Sequence, residues 1–396
     1  MYPQLISETP SDKLGIIVVI PCYNEPNIIA SIESIANCHS PSSKVEIIVS
    51  INASVSSHDD IKERNLKSEK ELIKLKPKLP DWLSIYPIIN NNLSDKKAGV
   101  GLGRKIGMDE AVRRFVSIEN ERGIIVCFDA DSLCDPEYLC KIEAHFENQK
   151  IESASIHFEH PIEGYEYSSG IYESIVQYEL HLRYFIRIQK LINLPYSYHT
   201  IGSSMACTTS AYCAVGGMNQ RKAGEDFYFI HKLVKYGKHS ELNSTKVIPS
   251  PRVSDRVPFG TGRAIGAMQH AGLSTYMTYH PQSFFDLKIM VDSLQQIFEN
   301  QEFGITLPQS IGMFLDAING NRELNRIINN TSDYPSFCKM FWHWFDAFIL
   351  IKYLHFGRDN FYPDIPVLEA VNQMKGNQFS SEREALKYFR EVDIIS

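Results

Sequence analysis

Two aspartates stand two positions apart at the end of an apolar run, in IIVCFDADSLCDPEYL at residues 124–139. In extended backbone, Asp129 and Asp131 direct their carboxylates to the same side. Carboxylates so placed repel unless a cation lies near. Oxygen donors favour Mg2+ or Mn2+, which commonly take one or two carboxylates together with substrate phosphates. The same residues also suit a solvated turn, with Asp131 or Asp135 as a cap.

A second acidic pair, Glu225 and Asp226, opens a helix whose apolar face is Phe227, Ile230, His231 and Val234 and which Gly237 closes. Acidic groups in a first turn complement the helix dipole without any further role. The same dipole keeps Asp226 ionised, ready to accept a proton from an attacking hydroxyl. His231 reads as a core histidine.

Two basic, glycine-rich stretches accompany these pairs. In DKKAGVGLGRKIGMDEA, Gly99, Gly101, Gly103 and Gly107 sit where a helix is expected. Each costs a helix about 1 kcal/mol relative to alanine, which implies backbone approaching a ligand or another element closely. Lys96, Lys97, Arg104 and Lys105 would bring positive charge to a diphosphate. The spacing excludes a P-loop, and its place on the third strand–helix junction is wrong for a dinucleotide fingerprint. Further on, Arg252, Arg256 and Arg263 surround a Gly-Thr-Gly. That loop suits closure over a phosphate-bearing ligand, and equally an irregular surface.

The elements that must position these groups alternate. Strands are expected at 15–21, 45–51, 85–89 and 123–128, and helices at 26–37, 54–79 and 98–116. This is the pattern of a mostly parallel sheet covered by helices. Asp135, Pro136 and Glu137 mark a helix start, and Ile171, Tyr178, Leu182 and Phe185 line a helix over 168–190. Beyond residue 282 the pattern is helical with no convincing strand. The fold class is therefore α/β, with a catalytic-type domain over 1–280 and a helical extension over 281–396.

Composition narrows the function. The 396 residues are 43% hydrophobic and 22% charged, enough apolar side chain for a sizeable core. A net charge of −7 excludes general attraction to nucleic acid. Met1 to Lys13 is polar and reads as no secretory leader, and no apolar run approaches the ~20 residues of a spanning helix. The eight cysteines include no Cys-x-x-Cys and read as buried free thiols of a reduced cytoplasm. Nine aromatic residues fall within 334–356, with Phe337, Phe341, Trp344, Phe345 and Phe348 at helical spacing. They suit a bundle core; a dimer interface, a sugar-stacking platform and contact with a lipid-linked acceptor are the functional alternatives.

Taken in order, IVVIPCYNE, EIIVSINAS, GLGRKIG, CFDADSLCDPEYL and GGMNQRKAGEDFYFIHKLVKYG resemble glycosyltransferase family 2 over residues 15–250. The resemblance implies a GT-A fold, a nucleotide-sugar donor and a divalent metal. It implies that Pro21, Tyr23 and Glu25 hold the nucleoside, with Asn52 beside the base, and that Arg104 is the arginine of the family's A-R-N-x-G run. It makes Asp129 and Asp131 the D-x-D metal ligands, with Asp129 also at the donor, Asp226 the catalytic base and Glu225 its acceptor-orienting neighbour. One departure stands out: the family's acidic pair after the second strand is Ile51-Asn52 here, so the usual uracil reader is missing.

The expected activity is inverting transfer to the hydroxyl of a saccharide, a lipid-linked or a small acceptor. The metal would be Mn2+ or Mg2+ and the setting cytoplasmic; no nucleic acid is implied. Peripheral membrane contact and a homodimer through the C-terminal helices are compatible with the chain. Two other readings remain. One is a nicotinamide-dependent oxidoreductase using the glycines at 99–107; the other is a catalytically silent scaffold.

Overall fold

A computed structural model describes residues 4–254, 260–272, 275–303, 307–376 and 378–395. These form two compact units. The first comprises 1–172, 200–266 and 390–396, and the second 173–199 and 267–389.

In the first unit, β1 (Leu14–Cys22), β2 (Lys44–Ser54), β3 (Leu83–Leu93) and β4 (Ile124–Cys127) are parallel, in the order β3-β2-β1-β4. Helices α1 (Ile28–Ala36), α2 (Asp59–Leu75) and α3 (Val100–Ser117) make the crossovers. The sheet continues through β7 (Met205–Thr208), β6 (Ser153–Phe158), β8 (His239–Ile248) and β5 (Leu133–Cys134), with β7 antiparallel to β4 and to β6. The remaining helices here are α4 (Tyr138–Glu147), α5 (Ser169–Leu191, which runs on into the second unit), α6 (Thr209–Ala214) and α7 (Glu225–Tyr236).

Strand alternation divides the core. On β1, Ile16, Val18 and Ile20 pack with Ile28, Ile32 and Ile142; Ile17 and Val19 pack with Ile106, Phe115 and Ile230. Apolar side chains on both faces suit a sheet covered on both sides. The expected α/β class with a mostly parallel sheet is what the chain adopts. Chain order reverses between β1 and β4, and ligands of open α/β sheets gather at the carboxyl ends of strands flanking such a point.

Some local expectations need correction. Asp135 does not cap α4. The chain makes a turn, with Tyr138 N donating to Asp135 O at 3.0 Å, and the helix starts only at Tyr138. The helix expected over 54–79 begins at Asp59, because β2 runs on to Ser54.

The second unit is helical. Among its helices are α9 (Pro281–Asp292), α11 (Gln309–Ala317), α13 (Tyr334–Trp344) and α14 (Ala347–Asn360), numbered in chain order after α8 (Thr261–Ala271), with α10 (Leu294–Asn300) and α12 (Gly320–Ile328) between. The aromatic stretch breaks at Asp346, whose carboxylate accepts from Phe348 N at 2.9 Å and Ile349 N at 3.1 Å, starting α14. Phe337, Phe341 and Phe345 are fully buried, as a bundle core requires, whereas Phe348 is exposed. A minimal two-residue strand, Ile365–Pro366, pairs with Met277–Thr278 in a region expected to be strand-free. Among the described residues no helix is long and apolar enough to cross a membrane.

Candidate active site

Two arginines organise the carboxyl ends of β1 and β4. Arg104, on α3 and only 2% exposed, donates from Nη2 to Asp129 Oδ1 at 2.7 Å and pairs through Nη1 with Glu225. Burial works against its charge, but Glu225 and Asp129 outweigh that and raise the guanidinium above its ordinary value. Arg252 donates from Nη1 to Glu25 Oε1 at 3.0 Å, and its Nη2 lies 2.8 Å from Asp131 Oδ2. Each of the two aspartates, 129 and 131, thus has a basic partner.

The glycines of α3 explain how Arg104 gets there. A Cβ at Gly101 would collide with Arg221 O ahead of α7, and one at Gly103 would lie 2.5 Å from Asn52 Nδ2. Gly107 similarly allows α3 onto Val19 of β1. Close approach of protein to protein accounts for this motif, leaving the oxidoreductase reading without its glycine loop.

Asp226 opens α7 next to Glu225, half-buried at its surface and enclosed by protein on its other sides. Its Oδ1 accepts from Phe227 N at 2.8 Å. Burial first, and the Glu225 charge second, push its carboxyl up to about 7, against the pull of Arg104. This reverses the expectation that the helix terminus keeps it fully ionised: loss of solvent and a like charge exceed a terminal dipole.

The loop after β1 is held from α2. Asn65 is fully buried; its Oδ1 accepts from Asn24 N at 3.0 Å, and its Nδ2 reaches Asn52 O at 3.1 Å and Asn91 Oδ1 at 2.8 Å. Arg64 Nε donates to Glu25 O at 2.9 Å. Asn24 adopts a left-handed φ of 49°, tolerated by asparagine among non-glycine residues. Pro21 is buried at the end of β1, while Tyr23 is partly exposed in the loop beyond it. Asn52 is 2% exposed, and its Nδ2 faces Cys22 O and Ser50 O at 3.4 Å, so its side chain serves backbone. Ser31 Oγ of α1 donates to Ala130 O at 2.8 Å, fixing the residue between the two aspartates.

Thus Glu25, Arg104, Asp129, Asp131, Glu225 and Asp226 come together, linked by Arg104 and Arg252. Sequence reasoning missed Asn65 as the organiser of the loop. Its signal was the stripe Ile61, Asn65, Ser68, Leu72 on an otherwise charged helix. Arg256 lies outside the described residues. In the second unit, Tyr196 donates its hydroxyl to Phe345 O at 2.9 Å.

For a metal, the donor set is two carboxylates whose side chains are 37% and 29% exposed, each already facing an arginine. Among the described residues no group of three or more His, Cys, Asp or Glu is gathered to hold an ion. Two carboxylates suffice for a hard cation only when ligand phosphates complete its shell.

Chemically, the arrangement gathers two guanidinium groups, a type of group that suits anionic ligands, and a carboxyl raised far enough to exchange a proton near neutral pH. Residues 124–295 match the model of Glycosyl transferase family group 2, a segment that includes both acidic motifs. That segment is similar to glycosyltransferase family 2 and includes two of the five stretches on which the resemblance in sequence rests. No curated protein matches it. Among solved structures it is similar to TarS 1–349 of S. aureus in complex with UDP-GlcNAc, at 15% identity and TM-score 0.42 over 96% of this chain and 88% of that one. It is also similar to the mannosyltransferase PcManGT from Pyrobaculum calidifontis in complex with GDP-Man and Mn2+, at 13% identity and TM-score 0.38 over 100% and 90%.

Proposed function

We propose that this chain is an inverting glycosyltransferase that moves a sugar from a nucleotide-sugar donor to an acceptor hydroxyl, with Asp226 as general base. The observation that carries the reading is the position of Asp226 at the start of α7, next to the buried Arg104–Glu225 link, where burial and the Glu225 charge push its carboxyl up to about 7. A base is most effective when its pKa lies near the working pH.

Asp226 takes the proton of the acceptor hydroxyl as its oxygen attacks the anomeric carbon from the face opposite the nucleotide. The bond from that carbon to the diphosphate oxygen breaks, and the nucleoside diphosphate leaves with the electron pair. No covalent enzyme intermediate forms. Glu225 fixes Arg104, and Arg104 in turn orients Asp129. Arg252 would exchange its carboxylate partners for donor phosphate, an anion that guanidinium groups bind in two-pronged fashion. Pro21, Tyr23 and Glu25 border the nucleoside. Asp129 and Asp131 would hold Mn2+ or Mg2+, which when bound neutralises the diphosphate as leaving group. The acceptor is a hydroxyl compound: a saccharide, a lipid-linked or a small molecule. We place the enzyme in the cytoplasm, where its eight free cysteines would stay reduced.

Thermal melting with UDP, GDP, CDP and dTDP, with and without Mn2+ and beside NADH, tests the donor class. A nucleoside diphosphate at 100 times its Kd should add about 2.7 kcal/mol of stability. Stabilisation by NADH alone would overturn the reading. Because Ile51-Asn52 replaces the acidic base reader, UDP should not exceed every other nucleotide by more than about a hundredfold, or ~2.7 kcal/mol.

A further inference from the structure

Cys38 and Cys134 are 96 positions apart in the chain, yet their sulfurs lie 3.7 Å from each other. Cys38 is the second residue past α1, and Cys134 is in β5, just past the loop that carries Asp129 and Asp131. The two are 6% and 9% exposed. Hydrogen bonds on both sides hold the contact in place. Cys134 N donates to Ser34 Oγ at 2.9 Å, and His39 N donates to Pro136 O at 2.7 Å. Ser31 Oγ, on the same helix, holds Ala130 O at 2.8 Å, so α1 grips the aspartate loop at both ends.

A disulfide bond is about 2.05 Å long, so the sulfurs need to close by roughly 1.6 Å. A hydrogen bond from Cys134 lowers the Cys38 thiol below its ordinary value, while the same contact and burial push Cys134 up.

We propose that Cys38 and Cys134 are a peroxide-sensitive pair whose reversible disulfide shifts the loop bearing Asp129 and Asp131 and weakens nucleotide binding. The Cys38 thiolate attacks one peroxide oxygen, the O–O bond breaks, and a sulfenic acid forms as hydroxide leaves and is protonated to water. The Cys134 sulfur then attacks the Cys38 sulfur, the S–O bond breaks, and a second water leaves. Two thiols are oxidised by two electrons and one hydrogen peroxide is reduced to two waters. A dithiol reductant reverses the step by thiol–disulfide exchange. The effect on nucleotide rests on the donor reading above; the covalent chemistry does not.

The full-length protein is treated with hydrogen peroxide under native conditions, alkylated, digested and mapped by mass spectrometry. A peptide joining Cys38 to Cys134 should appear, vanish with dithiothreitol, and be absent from Cys38→Ser. Oxidation should also shift the melting temperature of the natural protein and leave that of Cys38→Ser unmoved. In calorimetry with UDP and GDP, the oxidised protein should bind at least threefold more weakly, recovering on reduction. Oxidation of the exposed Cys213 without any Cys38–Cys134 peptide overturns the pair. A mapped disulfide with unchanged nucleotide affinity overturns its effect on the loop. If neither nucleotide binds the reduced protein, the donor reading fails, and the peptide map and melting shift still decide the disulfide.

Discussion

Arg104 is ion-paired to Asp129 at 2.7 Å from one amino group while its other holds Glu225, so one buried guanidinium joins the aspartate loop after β4 to the start of α7. The two acidic motifs, nearly a hundred residues apart in the chain, thus act on a common charge. Breaking a buried pair on one side typically costs about 3–5 kcal/mol, because the remaining charge stays desolvated. Asp129 and Glu225 are therefore held as a set, and Asp226 titrates in the field of that set.

Asp226→Asn separates chemistry from binding. A general base acts on the acceptor hydroxyl, so nucleotide affinity should stay nearly constant while transfer falls by about 10²–10⁴-fold. Aspartate in an unfolded chain titrates near 3.8 and this one near 7, so the folded state holds the extra proton between those values. Its contribution to stability is full below pH 3.8 and is lost as pH rises through 7. The amide carries no such loss, so Asp226→Asn should melt no lower than the natural protein at pH 8. Retained turnover would remove the base assignment.

Glu225→Gln should move the pH profile. The Glu225 charge is one of the forces raising Asp226, and Arg104 opposes it. Removing the former lets the latter prevail, so the ascending limb of kcat/KM should shift to lower pH by about one unit. The melting temperature should fall as well, since Arg104 loses one of its two carboxylates. A lower melting temperature with an unmoved pH profile would assign Glu225 a structural role only.

Much of this site was legible because its residues are chemically conspicuous and sit at strand ends and a helix start. The Asp129–Asp131 and Glu225–Asp226 pairs could be found from charge and spacing alone. Their partners could not. Arg104 sits in a stretch with four basic residues, and no local pattern says that this one is buried against Glu225. Arg252 meets Glu25 across 227 positions of sequence, a separation that periodicity does not reach. Asn65 looked like one more polar residue on a charged helix. The direction of the Asp226 shift also escaped, because it depends on desolvation by the folded chain. The glycines of α3 signalled close approach correctly, but what approaches is the protein's own backbone and side chains.

Arg252→Ala should expose the coupling between Glu25 and Asp131. Glu25 is 1% exposed and would lose its bidentate counter-charge, a change worth about 3–5 kcal/mol for a buried pair. Urea denaturation should show that loss, and nucleotide affinity should fall with it if Arg252 also receives phosphate. Arg252→Lys should restore part of the stability without the two-pronged contact. Unchanged nucleotide affinity in a folded Arg252→Ala protein would place the arginine outside the donor site.

Metal dependence is decided at Asp131. Its carboxylate faces Arg252 at 2.8 Å, so a cation must compete with, or be admitted by, that arginine. Exchange of Arg252 onto donor phosphate would release the competition, which makes Mn2+ binding cooperative with nucleotide. Calorimetric titration should accordingly show weak Mn2+ uptake by the protein alone and tighter uptake when a nucleoside diphosphate is present. Asp131→Asn should raise the Mn2+ concentration needed for half-maximal transfer, or abolish transfer, with the melting temperature little changed because the residue is partly exposed. Arg252 charge would remain for the diphosphate, so some nucleotide binding should survive in this variant without metal. Full turnover in excess EDTA would show that the arginines alone neutralise the leaving group, and the roles given to Asp129 and Asp131 would then reduce to holding Arg104 and Arg252 in place.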